Sequence, residues 1–473
     1  MASSQHVSAP ATAQAPPRLG PELVGIIVVV VGGALITVLD ATVVSVAIGT
    51  LASHFGAPIA EIQWVITAYL VAMTAVIPLT GYAADRFGGR RVWMAAVGLF
   101  VLGSALASLA WSAESLIVFR AVQGLGGGMV VPVGMSLVAQ SAGRERMGRA
   151  MSAVSIPMML GPVLGPVVGG ILVSAVDWRW IFLINIPIGL VVLAFSPRVL
   201  PLGESRPGHR LDVPGLVLLS PGLAALVYGL SVVIESPGAA GAWAGLGAVL
   251  VAAFAWRAFR ASEPLLELRH FGLRTFTAAA VIQFLLGGVL IGSMLLLPLY
   301  YQQARGLAPG LTGLMLIPQG VGAAIALYAS GPLVDRGRGR TVVSAGAVLM
   351  AAGLAAYTFA PADPPLAALI GALFVAGLGA GCTITPLNTA AYSALDRAAI
   401  PRATATLNIL QRIGGALGTA TFAVVLGRLL ADAHSAAQVA AAFGGVFWLP
   451  VAAVVLALPL AALLPPPTPT PTN

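Results

Sequence analysis

Long apolar runs separated by short polar connections make up most of this chain between residues 23 and 464. They fall at about 23–48, 61–82, 92–111, 115–138, 150–174, 178–196, 214–234, 240–260, 276–300, 310–333, 341–360, 364–390, 403–430 and 441–464. At about 1.5 Å of rise per residue, each run covers roughly the 30 Å of a bilayer's hydrocarbon core. The pattern predicts an all-α polytopic membrane protein with fourteen spans. Residues 1–22, rich in Ala, Pro, Gln and Ser, and residues 465–473, rich in Pro and Thr, read as disordered tails. The first run is too long for a signal-peptide core and is expected to remain as a membrane helix.

Composition agrees with the pattern and removes several classes of function. Of the 473 residues, 58% are hydrophobic and only 8% charged, far below the roughly one quarter charged residues of soluble proteins. A net charge of +8 would suit nucleic acid only if it formed a patch. Here it is spread over short connections, so no nucleic-acid partner is expected. All 24 basic residues are Arg, and the missing Lys excludes both a Walker A loop and Schiff-base chemistry on Lys. The single Cys, Cys382, leaves no disulfide framework or multi-Cys metal site. His6, His54, His209, His270 and His434 all fall in tails or connections, and no nucleophile–base pair or cofactor motif appears in the loops. Neither enzymatic activity nor a cofactor or metal is expected.

The Arg residues report topology. With fourteen spans, nineteen Arg fall on the side of the termini and only Arg179, Arg305 and Arg428 on the other, while Arg120 and Arg412 lie within spans. By the positive-inside rule both termini face the cytoplasm, in a plasma or inner membrane. Trp64, Trp93, Trp111, Trp178 and Trp243 lie near span ends, as an interfacial aromatic belt requires. There is also an internal repeat. Gly81-Tyr82-Ala83-Ala84-Asp85-Arg86 follows the second span, and Gly331-Pro332-Leu333-Val334-Asp335-Arg336 follows the tenth. Two six-span halves are expected, 23–196 and 276–464, separated by a linker at 197–275 with two extra spans; repeated halves around a midplane cavity are a common transporter plan.

Charges inside spans are costly and mark the candidate sites. Asp40 is a single carboxylate in the apolar run from Leu23 to Ile48, either a helix-packing hydrogen-bonding group or a protonation site in a transport cycle. Arg120, in the fourth span with Gln123 three residues on, lies at comparable depth by helical rise, about 8 Å from its outer end against about 12 Å for Asp40. It is expected either to partner Asp40 or to cap carbonyls and snorkel outward. In Gly81-x-x-x-Asp85-Arg86-x-Gly88-x-Arg90-Arg91, glycine permits a close approach and a sharp turn, and the charges suit either topological anchoring or a conformational latch; Asp335 and Arg336 repeat the pattern. In the fifth span, Gly161, Pro162, Gly165, Pro166, Gly169 and Gly170 place small residues and prolines at helical spacing, suited to close packing and kinking.

Together these motifs resemble the major facilitator superfamily, in particular its fourteen-span drug:proton antiporter branch, over nearly all of residues 23–464. Leu39 to Ala47 is similar to that branch's first-span motif, Gly81 to Arg91 to the superfamily loop motif, Leu116 to Gly127 to the proton-transfer motif, and Gly161 to Gly170 to the antiporter motif. Asp177 to Gly189 resembles the segment entering span six. Ser45, Gly49, Gly89 and Ser152 depart from the usual residues. The resemblance implies the major facilitator fold, two six-helix bundles plus two inserted helices, in a monomer. It further implies that Asp40 binds the coupling proton, that Arg120 assists its transfer, and that span five favours exchange. The expected function is proton-coupled export of small amphipathic, drug-like molecules, with lipid and protons as the other partners; uptake on the same fold and a transport-silent receptor are the alternatives. The later spans carry no acid, which points to a neutral, zwitterionic or acidic substrate. Gln123, Asn185, Gln319, Asn388, Gln411 and Arg412 are the candidate cavity residues.

Overall fold

A computed structural model describes residues 20–143, 146–202, 211–233, 236–261, 264–307, 309–359, 364–393, 395–396, 399–431 and 433–464. The two terminal tails lie outside these residues, apart from the short stretch 20–22, which leads into and opens the first helix. Long helices follow one another in chain order: α1 Pro21–Phe55, α2 Trp64–Phe87, α3 Gly89–Ser108, α4 Ala113–Ala142, α5 Met147–Ala175, α6 Trp180–Val199, α7 Val213–Ser231 and α8 Pro237–Ala258. Then come α9 Arg274–Leu299, α10 Pro309–Asp335, α11 Gly339–Thr358, α12 Leu366–Ser393, α13 Ile400–Ala431 and α14 Ala436–Ala461. Thirteen are long and apolar enough to cross a membrane by length and composition; the fourteenth, α5, is a 29-residue helix running alongside α1. The fold is all-α with fourteen spans, as the apolar pattern predicts.

Helix starts follow local chemistry. Pro21 sits in the first turn of α1, where its missing N–H costs nothing. Ser112 and Ser115 form a reciprocal capping box at α4, and Asp212 caps α7 by accepting from the Gly215 N–H. Gly88, at φ +85°, makes the turn from α2 into α3, and Gly337, at φ +75°, does the same between α10 and α11.

Packing is dominated by glycine, because helices in lipid gain no hydrophobic driving force against one another and associate through close contact. On α4, Gly124 and Gly128 lie against the Tyr69 and Met73 carbonyls of α2, and Gly126 lies against Phe100 of α3. The pattern recurs in the second half: on α12, Gly377 and Gly381 meet the Gln319 and Ala323 carbonyls of α10, and Gly379 meets Met350 of α11. Helices α1–α6 pack with one another, as do α9–α14. Between the two groups, α2 lies on α13 and α5 on α10, an arrangement related by pseudo-two-fold symmetry.

The inserted hairpin α7–α8 is a bridge. Leu219 and Leu223 of α7 pack with Ile77 of α2 and with Ala405 and Ile409 of α13, so α7 covers a seam between the halves. Its other end is held by Tyr228, stacked on Trp64 of α2 and edge-on to Trp243 of α8. Asp212 closes the hairpin's base: it pairs with Arg257 at 2.7 Å and accepts from the Leu265 N–H. Outward, α8 presents Val249 and Trp256, more than half exposed, a surface suited to lipid.

Close helix contact predicts an asymmetry between two glycines of α13. A Cβ on Gly414 would run into the Phe284 carbonyl of α9, whereas one on Gly427 would meet nothing within 4 Å. Gly414→Ala should lower the melting temperature, with an overpacking cost of about 1–3 kcal/mol, and Gly427→Ala should leave it unchanged or raise it; equal melting temperatures would contradict this packing.

Candidate functional site

Asp40 and Arg120 form an ion pair, Nη1 to Oδ2 at 2.5 Å, with both side chains buried. The pair sits inside the first bundle rather than on its surface. Gln123 donates to Asp40 Oδ1 at 2.9 Å and accepts from Arg120, and Asn185 of α6 also donates to Oδ1 at 2.9 Å. Ser104 of α3 accepts from both amides. Arg120 donates through Nε to the Val65 carbonyl of α2, and its guanidinium lies 4.1 Å over the Tyr69 ring and 5.6 Å from that of Phe182. Five of the first six helices, α1, α2, α3, α4 and α6, thus converge on one carboxylate. Among the described residues, each hydrogen-bond partner of the Asp40 carboxylate is an N–H donor, so a proton placed on Oδ2 would face the Arg120 N–H donor and break the pair.

The small residues of α5 hold α1 at this level. Gly161 abuts Val38, Gly165 abuts Thr42 and Gly169 abuts the Val43 carbonyl, with one helical turn between successive contacts. Gly170 faces open space. The side chains of Pro162 and Pro166 lie outside the described residues; the helix itself is continuous from Met147 to Ala175.

At the end of the molecule where α1 begins, two ion pairs join the halves. Asp85, at the end of α2, accepts from Arg402 Nε at 2.9 Å, and Asp335, at the end of α10, accepts from Arg149 Nε at 2.9 Å and from the Gly148 N–H at 2.8 Å. Gly81 and Gly331 make room for these pairs: a Cβ would stand 3.2 Å from the Arg402 Cα in one case and 3.1 Å from the Arg149 Cα in the other. The network expected within the loop motif therefore runs across the two halves, to arginines that lie outside that motif. Arg90 instead donates to the Pro197 and Leu200 carbonyls, fastening α3 to the end of α6. Arg86 is half-buried, Arg91 and Arg336 are exposed, and none of the three makes an ion pair among the described residues. Near Arg402 the connection between α8 and α9 adds Glu267, at 3.9 Å, with His270 3.7 Å from Glu267. Burial lowers the His270 pKa below the ordinary 6.5, and Arg402 pushes the same way, while Glu267 partly opposes them.

A cavity of about 590 Å³ lies between the halves, within the size range of small-molecule sites. It extends from Tyr392 and Asn408, toward the ion-paired end, to Pro298 and Gly313 near the other. Gln319, Asn388 and Gln411, three of the candidate cavity residues, line it together with Gln283 and Asn408. Gln123 and Asn185 do not: both are turned inward onto Asp40, at 0% and 2% exposure. Arg412 is half-buried beside the lining residues Asn408 and Gln411, within electrostatic reach of Tyr69 on α2. Asp40 is likewise absent from the lining, but Thr42 and Ser45, on the opposite face of α1, are part of it. One helix thus carries the buried carboxylate on one face and cavity wall on the other.

A family profile described as Major Facilitator Superfamily matches residues 30–419, most of the chain. The chain belongs to that superfamily. It is 42% identical over 400 residues to a Mycobacterium tuberculosis protein named multidrug resistance protein B homolog, covering 82% of this chain and 73% of that one. It is 33% identical over 401 residues to the methylenomycin A resistance protein of Streptomyces coelicolor, covering 83% and 84%. A Haemophilus influenzae multidrug export protein is 31% identical over 417 residues, covering 85% and 80%. Among solved structures, the proton:xylose symporter XylE superposes with a TM-score of 0.67 at 18% identity, over 93% of this chain and 95% of that one, which shows a shared fold. Within this superfamily the chain is a multi-pass membrane transporter.

Two predictions follow from the cross-half contacts. In double-mutant cycles read by melting temperature, Asp85→Asn with Arg402→Gln, and Asp335→Asn with Arg149→Gln, should be non-additive, with couplings on the order of 1 kcal/mol; Arg91→Gln should show none with either acid. Because the native His270 holds fewer protons than an unfolded imidazole just below pH 6.5, stability falls as pH drops through that window. Relative to His270→Gln, the wild-type protein should lose melting temperature on acidification; a pH-independent difference between the two would contradict this.

Proposed function

We propose that this transporter exports small amphipathic, drug-like molecules in exchange for protons, with Asp40 as the proton site and Arg120 as its counter-charge. The names of three relatives, each at least 31% identical, support export and resistance. The observation that carries proton coupling is the placement of the Asp40–Arg120 pair on the face of α1 opposite the cavity. Protonating Asp40 removes a negative charge and leaves Arg120 as an uncompensated buried cation, a state that favours rearrangement of the helices around it. Because Thr42 and Ser45 share α1 with Asp40, that rearrangement moves cavity wall. The proton site and the substrate site then communicate through one helix, without sharing a ligand.

The bundles 23–196 and 276–464 are the moving units in this reading, and the two ion pairs between them form the latch. The Arg-rich end, with both termini, faces the cytoplasm in a plasma membrane, by the positive-inside rule. The described state is therefore latched on the cytoplasmic side, with its cavity reaching toward the outside. Release of the proton inward resets the Asp40–Arg120 pair and prepares the next exchange. A membrane potential supplies about 2.3 kcal/mol per charge per 100 mV, sufficient to drive such a cycle without ATP.

Proton flux in inside-out vesicles with an imposed pH gradient tests the reading, with amphipathic antibiotics and dyes as candidate substrates. A substrate should dissipate the gradient with wild-type protein, and Asp40→Asn should reduce that flux more than tenfold while leaving the protein folded. Equal exchange by folded Asp40→Asn would refute coupling through this carboxylate.

A further inference from the structure

Arg412 is a charge inside a span that the Asp40 network does not use. It is the thirteenth residue of α13, about 18 Å from the helix start at 1.5 Å per residue, well inside the hydrocarbon region. No hydrogen-bond or ion-pair partner faces it among the described residues, and it is only half-buried. A cation at that depth without a counter-charge is costly, and such residues ordinarily face a bundle interior or a cavity and find a partner there. Asn408, one helical turn away on the same face, and the adjacent Gln411 line the cavity, and Arg412 stands directly behind them, next to the described lining.

The cavity's chemistry points the same way. Among its described lining residues there is no carboxylate; the polar groups are amides and hydroxyls, including Gln283, Gln319, Asn388 and Asn408. The remainder is largely apolar, with Met135, Met158 and Met294 offering an adaptable surface to a hydrophobic body. Asp40, the buried acid of the first bundle, is committed to Arg120 on the far face of α1. Tyr69, which Arg412 reaches electrostatically, already donates its hydroxyl hydrogen to the Thr37 carbonyl.

We propose that Arg412 is the anion subsite of the substrate cavity, and that a preferred substrate is an amphipathic monoanion. Its carboxylate or equivalent oxyanion sits against the Arg412 guanidinium, with the Asn408 and Gln411 amides beside it and the apolar body among the methionines. The planar guanidinium suits bidentate capture of a carboxylate. This assignment rests on the exporter reading for its physiological meaning, but the binding preference it predicts does not depend on proton exchange.

The test uses a fluorescent amphipathic carboxylic acid and its methyl ester, which share one body and differ in charge. Binding to the full-length protein in lipid nanodiscs is read by fluorescence, and proton flux with the same pair is read separately in vesicles. Wild type should bind the acid at least tenfold more tightly than the ester. Arg412→Gln, checked for folding by its melting curve, should remove that preference by weakening the acid alone. Arg412→Lys should retain part of it, because charge survives while the bidentate geometry does not. The absence of an acid-over-ester preference in wild type, whether both bind equally or neither binds, overturns the subsite, as does a preference that survives in Arg412→Gln. An intact preference with no proton flux for either compound would instead count against the exporter reading alone.

Discussion

A carboxylate cannot stay ionised in a membrane interior without a partner, and this transporter satisfies that requirement at Asp40 with a single guanidinium. The pair draws in Gln123, Asn185 and Ser104, so one charge fixes the mutual placement of five helices. Because both partners are buried, its two protonation states differ by more than a hydrogen bond. The ionised state is neutral as a pair and fully donated to; the protonated state strands Arg120. Such a site has two distinct arrangements, and alternating access requires an element of this kind.

In the proposed cycle the two faces of α1 link this local event to the cavity. On one side the helix is tied to the buried network; on the other it forms cavity wall, and along its length the glycines of α5 hold it within backbone distance. Movement of α1 therefore cannot stay local. At the end of the molecule where α1 begins, two symmetric carboxylate–arginine pairs, each seated over a glycine, join the halves in the described state; in the proposed cycle they are the latch. The inserted hairpin packs over the seam of α2 and α13 and adds a further contact between the halves.

The span pattern, the rarity of intramembrane charge and the repeat of Gly-x-x-x-Asp-Arg made much of this legible in the sequence. Helical rise alone brought Asp40 and Arg120 to comparable depth. Depth, however, is not azimuth. Gln123 and Asn185 lie at the right level for the cavity but on helix faces turned inward, which only packing reveals. The ion-pair partners Arg149 and Arg402 escaped because each pairs with an acid in the other half of the chain, 186 and 317 residues away. Each is the third residue of its helix, α5 and α13, so aligning the two halves beyond the loop motif would have found them. Nothing in the apolar run at 214–234 foretells that α7 bridges the halves, because burial of a lipid-soluble helix leaves no polar signature.

In the proposed cycle a proton on Asp40 and a substrate in the cavity exclude one another although they bind opposite faces of α1. The most direct measurement is the affinity of a non-titrating exported compound across the pH range for wild type and Asp40→Asn in nanodiscs. Wild-type affinity should fall as pH is lowered, and the variant should bind with a pH-independent affinity. A wild-type affinity that does not change with pH, or a pH dependence that persists unchanged in folded Asp40→Asn, would contradict it.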